Sequence, residues 1–99
     1  MTGAQTDRVS VPKHVTASAV LLRLAHPFFH AGHFGADDPD RPLNYGIWLS
    51  LRETAHKLLD RRALELNYNE AKLLDSALNL CPQGEDVQYL RSLQFTERG

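Results

Sequence analysis

Three of the chain's five histidines lie close together, in the segment AHPFFHAGHFG at 25–35. His26, His30 and His33 are spaced four and three residues apart, the intervals that place side chains on one face of a helix. Imidazole nitrogens in this arrangement bind Zn²⁺ or Ni²⁺, and Asp37 or Asp38 of the ADDPD segment at 36–40 could add an oxygen ligand. One hypothesis for this segment is therefore a metal site that holds zinc or nickel.

Phenylalanines alternate with these histidines, which gives a second interpretation. Phe28, Phe29 and Phe34 can line one apolar corner together with the imidazoles, whose ring nitrogens then bond backbone carbonyls and need no metal. Neither an HExxH motif nor a cysteine cluster accompanies the histidines, so the metal spacing is not specific. We expect no cofactor, with metal as the alternative. A cluster that senses pH is a third interpretation, because imidazoles titrate near neutrality.

A second group of residues indicates protein binding. Arg62 falls within the apolar sector of the longest predicted helix, where a leucine would complete the stripe. Such an arginine either lays its methylene stem on the core or belongs to an interface, where arginine and aromatic side chains contribute most of the binding energy. The predicted interface comprises Phe28, Phe29, Phe34, Tyr45, Trp48 and Arg62.

The helix that carries the histidines is predicted to be buried and interrupted. From Thr16 to about Ala25 nearly every side chain is apolar apart from Arg23, a composition typical of a central helix. His26 precedes a proline, and the residue before a proline is disfavoured in the α region. We therefore expect this helix to end or kink at His26, with Pro27 beginning a short new turn of helix.

The clearest helical periodicity follows the acidic loop at 36–40. Asp40 and Pro42 are suited to the first turn of a helix, which is predicted to end near Asn67, where Asn67 and Glu70 stand in capping-box order. The loop itself is taken as a connector, with recognition as the alternative. One third of this helix's circumference is predicted to face the core through Ile47, Trp48, Leu51, Ala55, Leu58, Leu59 and Leu66.

Two more helices are predicted beyond Asn67. One runs to about Leu80, and the other covers EDVQYLRSLQF, which begins with two acids suited to a helix N-terminus. Nothing in the pattern predicts a sheet. The expected fold class is all-α, a compact bundle of about four helices plus a short proline-initiated helical turn. It forms a single helical domain at 13–99 behind a flexible N-terminal arm at 1–12.

Composition argues against several classes of function. A formal net charge of −1 over 99 residues produces no field that attracts nucleic acid, although the net charge of +2 at 52–62 keeps a DNA-binding regulator as a third hypothesis. The longest apolar run is too short to span a membrane. The lone Cys81 favours the reducing cytoplasm. No phosphate loop or GxSxG motif supports an enzyme.

These observations together predict a small non-enzymatic protein-interaction module in the cytoplasm. It would act as a regulator, adaptor, inhibitor or accessory subunit that binds a partner protein, with a homodimer as the expected assembly. The positive ground is a surplus of apolar and aromatic side chains for so small a core. The alternative is a metal-binding protein that uses His26, His30 and His33.

Overall fold

Four helices account for most of the chain in the computed structural model, which describes residues 11–98. They are α1 (Lys13–His33), α2 (Arg41–Arg61), α3 (Tyr68–Leu80) and α4 (Glu85–Ser92), with two short strands, β1 (Glu65–Leu66) and β2 (Thr96–Glu97). The helices share one hydrophobic core, which confirms the predicted all-α bundle. Of the predicted arm at 1–12, residues 1–10 lie outside the described part of the chain.

The helix does not end at His26, one of the two predicted outcomes, because α1 is one helix of 21 residues that passes through Pro27. A proline inside a helix removes one backbone hydrogen bond and costs about 3 kcal/mol. The side chain of Pro27 is exposed, so its ring lies on the solvent side and does not interrupt the packing of α1 on α2. That packing extends along the helix and outweighs the local cost. The predicted proline-initiated turn is therefore part of α1.

Small residues form the line along which α1 and α2 pack as a hairpin. Ser18, Ala25 and Gly32 recur every seven residues on α1 and are all buried. A Cβ on Gly32 would lie 2.6 Å from the backbone N and Cα of Tyr45. Near the other end of the hairpin, the Ser18 hydroxyl donates a 2.9 Å hydrogen bond to the carbonyl of Ala55. The two backbones are therefore close at both ends, which fixes the side chains on each side of the hairpin.

The core lies on one side of this hairpin. α3 packs on α2, and α4 packs on α1. Their apolar side chains meet those of the hairpin in a cluster whose fully enclosed members include Leu21, Leu51, Leu58, Leu66, Val87 and Leu90. Because α3 and α4 cover the same side, the opposite side of the hairpin has no helix over it within residues 11–98.

The end of α2 differs from the prediction. The helix stops at Arg61, and Arg62 adopts the left-handed conformation with φ of 55°, a common way for a helix to end. Leu66, predicted on the helical stripe, is buried from β1 instead. β1 pairs in parallel with β2, so that the chain contains a small sheet that the pattern did not predict. Two-residue strands are too short to show a periodicity.

Candidate protein-binding face of the α1–α2 hairpin

The uncovered side of the α1–α2 hairpin carries a continuous row of apolar and aromatic side chains. Along each helix these residues lie three, four or seven positions apart, the spacing that keeps a stripe on one side of a pair of packed helices. We name this row the outer face. Its members are Val15, Leu22, His26, Phe29 and His33 on α1, and Tyr45, Trp48, Arg52 and Leu59 on α2.

Large apolar side chains are exposed along the full length of the outer face. Val15, Leu22 and Phe29 on α1 keep 36%, 40% and 42% of their surface exposed, and Tyr45 and Leu59 on α2 keep 42% and 39%. A single exposed apolar residue is ordinary on a protein surface, whereas a contiguous group marks an interaction site. Here the group follows both helices from one end of the hairpin to the other.

At the loop end of the hairpin, the outer face becomes an aromatic cluster centred on His33. The imidazole centroid lies 4.5 Å from the ring of Phe29, 4.6 Å from Trp48 and 5.2 Å from Tyr45. Phe29 and Trp48 also meet edge to face at 5.6 Å. The Nδ1–H of His33 donates a 2.7 Å hydrogen bond to the carbonyl of Phe29. This bond and the ring contacts hold the cluster in a defined arrangement.

A shallow cavity of about 350 Å³ opens beside this cluster, towards the middle of the hairpin. Leu22, His26, Phe29 and Trp48 provide its apolar and aromatic walls. The guanidinium of Arg52 lies 5.5 Å from the centroid of the Trp48 ring, in a cation–π contact that fixes both side chains. A cavity of this size and composition can accept an apolar side chain of another protein.

Charge is concentrated at the two ends of the hairpin and is sparse on the outer face between them. Arg52 is the only Lys, Arg, Asp or Glu in the row. Neighbouring Arg23 is bound at 2.7 Å by Asp86 of α4, and this contact holds the pKa of the Asp86 carboxyl below its ordinary value. A scarcity of charged residues is typical of the central part of a protein–protein interface.

The structure brings together four of the six predicted interface residues. Phe29, Tyr45 and Trp48 lie in the aromatic cluster, and Phe34 lies beside it, 6.5 Å from the ring of His33. The other two are elsewhere. Phe28 is half-buried against the core, and Arg62 lies beyond the far end of α2, about 21 Å along the helix axis from Trp48 at 1.5 Å per residue.

The sequence analysis missed other members of the outer face. Leu59 was predicted to face the core, yet it is 39% exposed. Trp48 was predicted for both the core stripe and the interface, and it is half-buried and packs against the core. The interval of seven residues that joins Val15, Leu22 and Phe29 was the signal in the sequence that could have identified the row on α1.

Nothing in the geometry supports the metal hypothesis for His26, His30 and His33. Within residues 11–98, no group of three or more His, Cys, Asp and Glu side chains is arranged to hold a metal ion. His33 directs its Nδ1 to the Phe29 carbonyl and packs its ring within the aromatic cluster, and His30 stacks on Phe34. These contacts match the interpretation in which imidazoles and phenyl rings line one corner.

Three of the cations in the positive segment at 52–62 make contacts within the protein. Lys57 and Arg61 both bind Glu70 of α3, at 3.1 Å and 2.8 Å, and Arg52 lies over Trp48. The hydrogen bond from Arg61, assisted by those from Asn67 and Lys57, holds the pKa of Glu70 far below its ordinary value. Lys57 and Arg61 therefore join the end of α2 to the start of α3.

A second apolar surface, the α2–α3 groove, is smaller and contains no aromatic side chain. It is a cavity of about 240 Å³ between α2 and α3, and Leu43, Leu73 and Leu80 on its walls are all exposed. Aromatic residues and arginine dominate binding energy at protein interfaces, whereas leucine is under-represented among such residues. The outer face is therefore the better candidate for a binding surface.

Comparisons with protein-family models, with curated proteins and with solved structures find no match for this chain. No helix within residues 11–98 is both long enough and apolar enough to cross a membrane.

Proposed function

We propose that this protein is a small non-enzymatic interaction module that binds a partner protein through the outer face. It would serve as a regulator, adaptor, inhibitor or accessory subunit in the cytoplasm, where its one cysteine, the buried and free Cys81, suits a reducing environment. The observation that carries the proposal is the row of exposed apolar side chains along the hairpin, on the side that α3 and α4 leave uncovered.

The aromatic cluster supplies the type of contact on which protein binding depends. Phe29, Tyr45 and Trp48 are large rings held in place by His33, so that a partner orders few side chains when it binds. Trp48 is half-buried and therefore already fixed on one side, while Arg52 offers a cation above its ring. Tryptophan, tyrosine and arginine are enriched among the residues whose loss weakens an interface most.

Site-specific photocrosslinking in the cells that produce the protein tests this proposal. Benzoylphenylalanine at position 29 lies on the outer face, and the same group at position 68 is the matched control, because Tyr68 is 64% exposed on α3. We expect position 29 to give a covalent adduct with a protein and position 68 to give none. The adduct should disappear when Leu22→Glu places a charge beside position 29.

A protein-binding surface should give an adduct at position 29 that an ordinary exposed position such as 68 does not give. If positions 29 and 68 give the same adducts, or if position 29 gives none, the outer face is not a protein-binding surface. Loss of the adduct with Leu22→Glu must also occur while the variant keeps the helical circular dichroism of the native chain, which separates a lost contact from a lost fold.

A further inference from the structure

We infer that the partner bound by the outer face is a second copy of this chain, packed antiparallel so that two α1–α2 hairpins form a four-helix bundle. This inference rests on the proposed function, because it names the partner for the same surface. In a two-fold dimer, the same patch on both copies forms the interface, so the patch must be complementary to itself. The shape of the hairpin and the charges at its two ends meet this requirement, whereas Arg52, one residue from the midpoint of α2, would lie near its own counterpart.

The two helices of the hairpin are equal in length. α1 and α2 have 21 residues each, so each is about 31 Å long. The exposed row runs along both helices and is nearly uncharged, so two rows can face each other over this whole length. Helices that pack side by side in four-helix bundles use the same three-and-four spacing of apolar residues. Leu22 lies one residue from the midpoint of α1 and would meet its counterpart there.

The charges at the two ends of the hairpin favour a second copy as the partner and determine the direction in which it packs. At the loop end of the hairpin, Asp37, Asp38 and Asp40 outnumber Arg41. The other end includes the paired strands β1 and β2 that follow α2, and its charged residues sum to +1: Lys13, Lys57, Arg61, Arg62 and Arg98 against Asp60, Glu65, Glu70 and Glu97. Within residues 11–98, none of the three loop aspartates and neither Lys13 nor Arg62 forms a salt bridge.

An antiparallel two-fold arrangement brings the acidic end of one copy against the basic end of the other, and it does so at both ends of the bundle. A parallel arrangement would place like charges together twice. Opposite charges at the rim of an apolar interface fix register and direction more than they add affinity. The chain therefore carries both an apolar surface to bury and a charge pattern that aligns a second copy on it.

Sedimentation equilibrium of the purified full-length chain measures the assembly directly. We expect a mass of twice 11.2 kDa for the native chain and of one chain for Leu22→Glu, whose dimer should be weaker by more than roughly tenfold. Leu73→Glu is the matched control, because Leu73 is 59% exposed in the α2–α3 groove. It should remain a dimer. A dimer that Leu73→Glu dissociates and Leu22→Glu does not would overturn the inference.

Single cysteines in a Cys81→Ala background then test the direction of packing. In the antiparallel dimer, position 22 lies near its counterpart, whereas the two copies of position 15 are about 24 Å apart along the axis, far beyond the reach of a disulfide. Leu22→Cys should therefore form an intermolecular disulfide and Val15→Cys should not. A native dimer in which Leu22→Cys forms no disulfide, or in which Val15→Cys forms one equally well, would refute the antiparallel packing.

Charge reversal tests whether the charges at the two ends of the hairpin align the two copies. A chain with Lys13→Glu and Arg62→Glu is acidic at both ends, and a chain with Asp37→Lys and Asp38→Lys is basic at both ends. Each alone should dimerise several-fold more weakly than the native chain at low salt, and an equimolar mixture should form the heterodimer in preference to either homodimer. If the mixture shows no preference, the ends do not align the copies.

Sedimentation and photocrosslinking together distinguish a failure of the dimer from a failure of the proposed protein-binding function. A native chain that stays monomeric at every concentration tested, yet gives a position-29 adduct with another protein, refutes the second copy and leaves the proposed function standing. A monomeric chain without any position-29 adduct contradicts both. A dimer that dissociates with Leu22→Glu and gives a position-29 adduct of two chains supports both.

Discussion

Replacing Gly32 with alanine tests the close contact of α1 and α2 on which the outer face depends. The new Cβ would lie 2.6 Å from the backbone N and Cα of Tyr45 and 3.0 Å from the carbonyl carbon of Asn44. All three atoms belong to the backbone of α2, so no rotation of a side chain relieves the overlap. The first turns of α2 must move away from α1, and Tyr45 and Trp48 must move with them.

Gly46→Ala is the matched control, because it places the same methyl group in a helix where no atom lies within 4 Å. Alanine favours a helix over glycine by about 1 kcal/mol, so Gly46→Ala should raise the free energy of unfolding by up to that amount. Gly32→Ala receives at most the same gain and loses about 1–3 kcal/mol to overpacking. We expect Gly32→Ala to be less stable than Gly46→Ala by about 1–3 kcal/mol.

Urea unfolding followed by tryptophan fluorescence measures both variants, because Trp48 is the only tryptophan and lies 5.7 Å from the ring of Tyr45. The same protein concentration must be used throughout, since the stability of a dimer depends on it. In a chain of this size, the expected difference corresponds to a change in Tm of roughly 4 °C or more. The native fluorescence spectrum should change with Gly32→Ala and stay the same with Gly46→Ala.

A Gly32→Ala variant as stable as Gly46→Ala would contradict the close approach of the α1 and α2 backbones at Gly32. The backbones of α1 and α2 would then be farther apart at Gly32 than the structure has them, and the ring distances around His33 would lose their basis. A destabilised Gly32→Ala variant with an unchanged Trp48 spectrum would show instead that the overlap is relieved away from Tyr45.

Two further predictions concern polar contacts that join the helices. Because Arg61 holds the pKa of Glu70 below its ordinary 4.5, the ionised carboxylate stabilises the fold above about pH 4.5, and that contribution is lost as the pH falls further. Glu70→Gln should reduce the free energy of unfolding by about 2 kcal/mol at pH 7. The free energy of unfolding of this variant should also fall less than that of the native chain as the pH is lowered. Urea titrations that show the same fall with pH for both chains would contradict this. Ser18→Ala removes the hydrogen bond to Ala55 and should cost about 0.5–1 kcal/mol, whereas Ser76→Ala, at an exposed position on α3, should cost nothing measurable by thermal unfolding.

Local sequence patterns correctly predicted those features of the structure that depend on a few neighbouring residues. The capping box at the start of α3 forms as expected, with the side chain of Asn67 accepting from the Glu70 N–H and the carboxylate of Glu70 accepting from the Asn67 N–H. The ends of α1 and α2 could not be predicted in this way. Pro27 stays within α1 because α2 packs along it, and α2 stops at Arg61, where Glu70 of the following helix binds the last residue.

The sequence by itself determined the fold class, the number of helices and the residue types gathered in the outer face, because periodicity, capping and composition are properties of neighbouring residues. Only the tertiary structure decided which sides of α1 and α2 are covered. That choice depends on Gly32 and Ser18, which bring two backbones together across a long sequence separation, and on α3 and α4 sharing one side of the hairpin. Leu59 fits the periodicity of a core stripe, yet it belongs to the surface because no helix within residues 11–98 covers that side of the hairpin.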